Sequence, residues 1–524
     1  MDNKASKIKF IYVNTITVLI TQVINIILGF VVRKTFVVKL GVIYLGYNSV
    51  FSNILSMLSL TELGVGVAIA SFLYKPIADN DTERIKVLMY IFKKIYRILG
   101  IIIAVMGILV SFLLPIFISD AGDDFSYLRL LFYINLAGSV STYYMGYQRT
   151  LLIADQRTYV TSMIDTVLYL IASITQIVIL FIIPNYVIYV CITIGKNVLS
   201  NLIVYFNCSK KYDYLNSEID YSIIGEYKIK IKKYVKDVFI SKIGAYVFYS
   251  TDNLIISAFK GSILTGFLSN YTMITNIVSN IVGQVLASIQ ATFGIYINSE
   301  TDIQNQKNMV NNYLFANYFI GNFCMICIMF LIQPFIKIYF GDKFLLDNST
   351  AALLGINLLF SILIQLPAQL FVIYRLFKYD KLIILISASL NIAISIALIN
   401  RIGIDGALIG TVVTSLIYLY SRLVIVSKKV YSCSPMIYFK KLSYYYIVSM
   451  VTVLLVKCAT SWITKVTLNI FVIKIFIVGI LAIIVPVLLL SKTQELDFLI
   501  KKLFLDKTKK VIEKIKLKNV SAEK

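Results

Sequence analysis

Several charged side chains stand inside long apolar stretches of this sequence. A charge at membrane depth is costly, so each of these residues is a functional candidate. Lys196 lies in the middle of one apolar stretch with no acidic neighbour in sequence, Lys242 lies nearer the end of another, and Arg149 lies at the end of a third. An ammonium or guanidinium group in such a place can bind a phosphate group. The alternative is that each pairs with an acidic side chain or extends toward lipid headgroups.

Five further charged residues extend this set. Arg33 and Lys39 lie at the far end of the first apolar stretch, where they could contact either a phosphate group or the lipid headgroups. Glu62, Asp165 and Asp252 are acidic residues within apolar stretches. Each of these acids could bind a proton or Na⁺, or could instead neutralise a basic side chain or cap a helix. The sequence leaves these roles open, and it indicates neither a catalytic group nor a metal site.

The composition identifies the surroundings of these charges. Of the 524 residues, 59% are hydrophobic and only 15% are charged, whereas soluble domains carry about 25% charged residues. A soluble core cannot bury so much apolar surface, so a lipid bilayer must cover it. The formal net charge of +23 does not indicate nucleic-acid binding, because the basic residues stand in short segments between apolar stretches. We therefore predict an all-α polytopic membrane protein.

About fourteen apolar stretches are long enough to cross a hydrocarbon core of roughly 30 Å as helices. They cover, approximately, residues 10–32, 42–73, 95–118, 128–153, 160–183, 186–208, 237–259, 262–296, 311–333, 350–374, 380–400, 404–427, 442–463 and 468–490.

Lysine and arginine predict the orientation of these helices. If the N-terminus is cytoplasmic, most of the 50 lysines and arginines fall in cytoplasmic segments, as the positive-inside rule requires. The basic segments 209–236 and 491–524 carry apolar residues at helical spacing, which favours helices lying on an anionic lipid surface over partner-binding coiled coils. We predict a multi-pass membrane protein with both termini in the cytoplasm.

A short internal repeat predicts the arrangement of the helices. Gly41 and Gly46 recur 220 residues later as Gly261 and Gly266, each time where the connection after the first span of a six-helix block leads into the second span. Both blocks begin on the same side, so the repeats are parallel, as in transporters that bind substrate between two halves. We predict two six-helix bundles as parallel pseudo-repeats plus two additional helices. The predicted parts are an N-terminal bundle (1–208), a cytoplasmic amphipathic linker (209–236), a C-terminal bundle (237–430), two additional transmembrane helices (431–490) and a basic cytoplasmic tail (491–524).

Short motifs follow one another in a fixed order along residues 10–430. They are YLGYN at 44–48, ELG at 62–64, LYKPIA at 73–78, RTLLIADQ at 149–156, DNLIIS at 252–257, QATFG at 290–294 and GIDGA at 403–407. In this order they resemble the polysaccharide-unit flippases (Wzx type) of the multidrug/oligosaccharidyl-lipid/polysaccharide exporter superfamily. Many members of that group have twelve helices, and a count of about fourteen also resembles the lipid II flippase branch.

The resemblance implies a location in a bacterial cytoplasmic membrane and two bundles that alternate access to its two sides. The implied substrate is an undecaprenyl-diphosphate-linked oligosaccharide, moved from the cytoplasmic to the outer leaflet for capsule, exopolysaccharide or O-antigen-like polysaccharide. The implied partners are this lipid-linked oligosaccharide, membrane lipids and, as neighbours in the pathway, polysaccharide polymerase and glycosyltransferases. No cofactor is implied beyond a coupling H⁺ or Na⁺. A drug/cation antiporter of the same superfamily is disfavoured, because organic cations bind to acids and aromatic rings rather than to a cationic cavity.

A membrane polysaccharide polymerase or glycosyltransferase is the alternative from another class. Such enzymes need a sizeable soluble loop with catalytic acids or a nucleophile, whereas the longest predicted outer connection covers only residues 334–349. The sequence contains no histidine, which excludes His-based triads. Cys324 and Cys327 form a C-x-x-C pattern, but they lie in an apolar stretch and are typical of small hydrophobic residues packed in a helix. We therefore predict that the protein is not an enzyme.

Overall fold

The computed structural model describes most of the chain. The described residues are 2–59, 72–77, 79–118, 125–155, 157–217, 225, 251–374, 376–463 and 465–500. They are helical or lie in connections, without a β-strand among them. The chain divides into two compact units, residues 1–269 and 270–524. The five-part division predicted from sequence stays a prediction.

The described part of the first unit consists mainly of helices. In chain order they are α1 (Asp2–Leu40), α2 (Val42–Leu58), α3 (Thr82–Ser111), the short α4 (Leu114–Phe117), α5 (Phe125–Met145), α6 (Tyr147–Ala154), α7 (Thr158–Ile182), α8 (Tyr186–Lys211), α9 (Asp252–Lys260) and the beginning of α10 (Ser262–Ser299).

The second unit begins within α10 and is likewise helical. Its further helices are α11 (Ile303–Tyr339), α12 (Asn348–Leu363), α13 (Gln365–Ile373), α14 (Phe377–Ile402), α15 (Ile404–Lys429), α16 (Met436–Thr460), α17 (Leu468–Leu489) and α18 (Gln494–Ile500). Each of the fourteen predicted spans overlaps at least one of the described helices.

The outer faces of these helices are apolar. Within the described residues, nine helices are long and apolar enough to cross a membrane, and α2 is a shorter apolar helix. Large apolar side chains such as Ile182, Phe206 and Phe476 are more than 60% exposed. An apolar surface of this extent is unstable in water and matches a lipid environment. The prediction of an all-α polytopic membrane protein is confirmed.

The repeated glycines have equivalent conformations in both copies. Gly41 immediately precedes α2 with φ = 89°, and Gly261 immediately precedes α10 with φ = 86°. Glycine adopts this region of φ without the steric cost that a side chain would add. The predicted repeat therefore has a structural counterpart, namely one sharp turn that opens a helix in each copy.

The second glycine of each copy permits a close approach between the two copies within the first unit. A methyl group added at Gly46 would lie 2.1 Å from the carbonyl oxygen of Ser262, and one added at Gly266 would lie 2.7 Å from that of Val42. Backbones pack this closely in membrane helices only where the residues are small. The repeated Gly-x4-Gly spacing thus serves both a turn and a helix contact.

A charged cluster fixes the corner between α6 and α7 to the end of α8. The Asp155 carboxylate accepts hydrogen bonds from Lys211 Nζ at 2.6 Å, Tyr212 OH at 2.5 Å and Arg157 Nε at 3.0 Å. Burial alone would raise the pKa of Asp155, but these hydrogen bonds and the two positive charges outweigh it and lower the pKa below its usual value. The cluster holds the ends of α6 and α8 together on one side of the first unit.

Candidate functional site

A polar cavity of about 620 Å³ lies within the first unit. This volume is within the range of roughly 300–1,000 Å³ that small-molecule sites occupy. Its walls come from α1, α3, α5, α6, α7 and α8 and the residue between α5 and α6. The lining residues are Asn25, Tyr96, Thr142, Gly146, Arg149, Thr150, Asp165, Tyr169, Lys196, Asn197, Ser200 and Asn201.

The polar wall contributed by α8 follows from helical spacing. Asn185 caps the helix by accepting hydrogen bonds from two backbone amides of the first turn. Lys196 and Ser200 are four residues apart, as are Asn197 and Asn201, so all four share one face of the helix. This face carries the polar groups of α8 into the cavity.

A break between α5 and α6 places Arg149 in the cavity wall. A methyl group at Gly146 would lie 2.7 Å from the carbonyl oxygen of Thr142, so a glycine fits this tight connection best. The backbone amide of Arg149 donates to the carbonyl of Gly146 at 3.1 Å, which begins the new helix directly after the break. Arg149 therefore stands in the first turn of α6, facing α7 and α8.

Arg149 and Asp165 form a two-pronged ion pair at the cavity wall. The distances are 2.8 Å from NH1 to Oδ2 and 2.9 Å from NH2 to Oδ1. Arg149 Nε also donates to Asn201 Oδ1 at 2.7 Å, and Ser200 is hydrogen-bonded to both members of the pair. The side chains of Arg149 and Asp165 remain 23% and 42% exposed. The pair is thus held by several hydrogen bonds and is still accessible from the cavity.

Lys196 contributes a second positive charge on the same wall. Within the described part of the chain, no carboxylate lies within 4.0 Å of its Nζ, which stands 5.8 Å from the centre of the Tyr169 ring. The acid that could have neutralised it, Asp165, is engaged by Arg149. The lining residues that the structure describes include two cations and one anion, so together they carry an excess of one positive charge.

The other predicted site residues lie elsewhere. Arg33 donates a hydrogen bond to the hydroxyl of Ser269, and Lys39 Nζ stands 4.2 Å from the centre of the Phe181 ring. Asp252 is the first residue of α9. None of Arg33, Lys39 and Asp252 lines the cavity described here.

Glu62 and Lys242 lie outside the described residues. The structure therefore unites three of the eight predicted residues, Arg149, Asp165 and Lys196.

The second unit contains an ion pair of the same type that sequence reasoning missed. Arg422 of α15 binds Asp380 of α14 through NH2 and Nε, each at 2.8 Å from a carboxylate oxygen. Its guanidinium carbon lies 4.0 Å from the Tyr418 ring centre and 5.1 Å from that of Phe371. Both charged side chains are at most 10% exposed. This pair is sealed by aromatic rings and joins helices, whereas the Arg149–Asp165 pair faces an open cavity.

Comparison with known proteins identifies the fold. No protein-family model matches the chain, and no curated protein is similar to it in sequence. A lipid II flippase MurJ in an inward closed conformation is similar in structure, with a TM-score of 0.67, 14% identity and coverage of 91% of this chain and 98% of that chain.

Two structures of a multidrug resistance MATE family transporter of the MOP superfamily are also similar. The inward-facing one has a TM-score of 0.62 and 13% identity over 79% of this chain and 98% of that chain. The outward-facing one has a TM-score of 0.54 and 16% identity over 79% of this chain and 96% of that chain. At these identities the likeness establishes the fold that this chain shares with both kinds of protein.

Proposed function

We propose that this protein is a flippase that moves undecaprenyl-diphosphate-linked oligosaccharide units from the cytoplasmic to the outer leaflet of a bacterial membrane by alternating access. The observation that carries the proposal is the polar, positively charged cavity of Lys196, Arg149 and Asp165 inside a bundle of membrane helices. A diphosphate and its sugars cannot cross hydrocarbon unshielded. A cavity of this chemistry shields the headgroup while the polyprenyl chain stays in lipid.

The charge balance favours an anionic headgroup over an organic cation. Asp165, the acid of the cavity, already accepts both prongs of Arg149, so a positively charged drug would meet a neutralised carboxylate and the ammonium of Lys196. A phosphate group instead meets one cation that no carboxylate neutralises within the described residues and a second cation held in position. The cavity therefore supports a flippase over a drug/cation antiporter of the same fold.

The ion pair also provides a way to release the substrate. Arg149 uses the same fork of nitrogen atoms for a phosphate that it uses for Asp165. A phosphate that enters the cavity can displace the carboxylate, and the carboxylate can later displace the phosphate. Because Asp165 is 42% exposed, it can move into solvent without leaving a buried charge behind. At Arg422, which is buried under two aromatic rings, the same exchange would leave a buried charge without a partner.

Lipid II is the second candidate substrate. The match to the lipid II flippase covers nearly the whole chain, and about fourteen predicted helices agree with that branch. Lipid II shares the diphosphate and the polyprenyl chain, so Lys196 and Arg149 would serve either substrate. The two candidates differ in the part of the headgroup beyond the diphosphate.

A transport measurement on the full chain tests the proposal. The purified protein in liposomes should move a fluorescent polyprenyl-diphosphate oligosaccharide to the leaflet where an added reagent can reach it, with or without an imposed H⁺ or Na⁺ gradient. In cells, depletion of the protein should trap complete lipid-linked units on the cytoplasmic leaflet. Movement of lipid II alone would select the second candidate, and movement of neither lipid would refute the proposal. Units that lack a sugar, or complete units that reach the outer leaflet but are not polymerised there, would indicate an enzyme instead.

A further inference from the structure

A second cavity, of about 400 Å³, adjoins the first within the same unit. Its wall comes from α2, α5 and α8, and none of the lining residues that the structure describes is charged. Its polar groups are amides and hydroxyls, among them those of Asn48, Ser52, Asn135, Ser139, Thr193 and Asn197. We refer to it as the neutral chamber, and to the cavity of Lys196 and Arg149 as the charged chamber.

The two chambers are parts of one polar tract. Thr142 of α5 and Asn197 of α8 line both. Along α8 the tract extends from Asn201 to Tyr189, a distance of about 18 Å at the helical rise of 1.5 Å per residue. Tyr189, Thr193 and Asn197 continue the polar face of α8 beyond Lys196. One ligand can therefore occupy both chambers at once, with an ionic part at Lys196 and an uncharged part beside it.

The neutral chamber has hydrogen-bonding capacity that the protein does not use. Thr193 is already engaged, since it accepts from Gln176 at 2.8 Å and donates to the carbonyl of Tyr189 at 3.2 Å. The hydroxyls of Ser52 and Ser139 and the side-chain amide of Asn197, by contrast, have no hydrogen-bond partner in the part of the chain that the structure describes. Polar groups at membrane depth need partners, so water or a polar ligand must supply them.

The uncharged hydrogen-bond donors and acceptors of the neutral chamber match the hydroxyl and acetamido groups of sugars. They do not match an anion, because none of the described residues that line the neutral chamber carries a positive charge. A carboxylate moved from water into a site without a cation loses solvation that neutral amides only partly replace.

We infer that the neutral chamber binds the sugars next to the diphosphate and selects uncharged sugars over uronic acids and other anionic units at that position. The inference rests on the proposed function, because the diphosphate in the charged chamber sets which sugars reach the neutral one.

Three lipid probes test this selection on the purified full-length protein. They are a polyprenyl diphosphate without sugar, the same lipid carrying one N-acetylhexosamine, and the same lipid carrying one hexuronic acid. Displacement of a fluorescent polyprenyl diphosphate gives the affinity for each. We expect the N-acetylhexosamine lipid to bind at least about tenfold more tightly than the hexuronic acid lipid, the equivalent of about 1.4 kcal/mol.

Ser52→Lys adds the missing cation to the neutral chamber. Ser52 is exposed, so the longer side chain can be accommodated. This variant should reduce the preference for the uncharged sugar to less than about threefold, and any affinity that the added cation gives to the diphosphate cancels in this ratio because both sugar-bearing lipids carry it. Ser56→Lys is the matched control, because Ser56 is an exposed serine one turn further along α2 that does not line the chamber. It should keep the wild-type preference.

The outcomes separate this inference from the proposed function. If all three lipids bind equally to the wild-type protein, or if Ser52→Lys leaves the preference unchanged, the inference is refuted while the flippase proposal stands. If the sugar-free lipid and both sugar-bearing lipids fail to bind, the flippase proposal is refuted together with it. Reduced preference in both Ser52→Lys and Ser56→Lys would show a general charge effect and would also overturn the inference.

Discussion

Removal of the Lys196 charge is the most direct perturbation of the proposed transport. In Lys196→Ala the charged chamber keeps the Arg149–Asp165 pair but loses the cation that no carboxylate neutralises within the described residues. Since Arg149 and Asp165 cancel in charge, this substitution removes the whole positive excess of the lining residues. We expect slow transport of the lipid-linked substrate with normal expression and folding.

The size of the effect follows from the interaction that the substitution removes. A hydrogen bond to a charged group contributes about 1.5–3 kcal/mol. With about 1.4 kcal/mol for each tenfold change, the rate at low substrate concentration should fall by about 10- to 150-fold. Lys196→Arg retains the charge and should retain most of the rate. The free energy of unfolding should change by less than about 0.5 kcal/mol, because Lys196 forms no ion pair with a described residue that would be broken.

Transport in liposomes and thermal unfolding in detergent measure these two quantities separately. Lys474→Ala is the matched control, since Lys474 is also a lysine within a membrane helix, α17, but lies outside the chamber. The control should transport as the wild type does. Wild-type transport by Lys196→Ala would remove Lys196 from the site and would undermine the phosphate-binding interpretation of the cavity. Equal losses in Lys196→Ala and Lys474→Ala would show that the effect is not specific to the chamber.

Three further predictions address the framework of the site. Asp380→Asn should lower the free energy of unfolding by about 3–5 kcal/mol, because it leaves the buried guanidinium of Arg422 without a counter-charge. Asp165→Asn should lower it by roughly 1 kcal/mol, because Asp165 is half-exposed. Denaturation in detergent measures both values, and equal losses of stability would contradict the reasoning. Gly46→Val should abolish stable folding, because the Cβ of the valine would lie 2.1 Å from a backbone oxygen. Gly479→Ala is the control and should fold normally, because no atom lies within 4 Å of the added Cβ. A folded and active Gly46→Val variant would disprove the close contact. The pKa of Asp155 is lowered in the folded protein, so the stabilisation by its carboxylate is fully present above the unfolded pKa of about 3.9 and is lost as the pH falls toward the folded pKa. The difference in Tm between wild type and Asp155→Asn should therefore be largest near pH 6 and should shrink below about pH 4. A difference in Tm that does not change with pH would exclude this linkage.

The membrane helices were predictable because a bilayer imposes a length and a composition on each of them. The turn glycines Gly41 and Gly261 were predictable in position because their spacing repeats along the chain. The contact of Gly46 with Ser262 was not predictable, because a repeat in the sequence does not show whether its two copies are in contact. The break at Gly146 was missed for a related reason: residues 128–153 form one continuous apolar stretch in the sequence, and only the packing around that glycine divides it into α5 and α6.

Three residues that line the charged chamber were singled out from the sequence, but the pairing between them was not predictable. Lys196, Arg149 and Asp165 each stood out as charges in or beside apolar stretches, but many pairings were compatible with the sequence. Helical spacing does contain a signal that was overlooked. Tyr189, Thr193, Asn197 and Asn201 recur at intervals of four, which predicts a polar face along an otherwise apolar helix. Asp380 and Arg422 gave no such signal, because each lies near the end of an apolar stretch where a charge is ordinary.

The difference in burial between the two ion pairs is the reason why we assign only the Arg149–Asp165 pair to the proposed transport. Both consist of an arginine fork on a carboxylate at distances below 3 Å, so their chemistry in isolation is the same. Arg422 and Asp380 are buried beneath aromatic rings, and exchange of either partner would expose an uncompensated charge to a region of low dielectric constant. Arg149 and Asp165 meet at a polar, partly exposed wall beside Lys196, where an arriving phosphate can replace the carboxylate at little cost. We therefore expect burial, rather than the identity of the residues, to distinguish a structural ion pair from one that can exchange its partner for the proposed substrate.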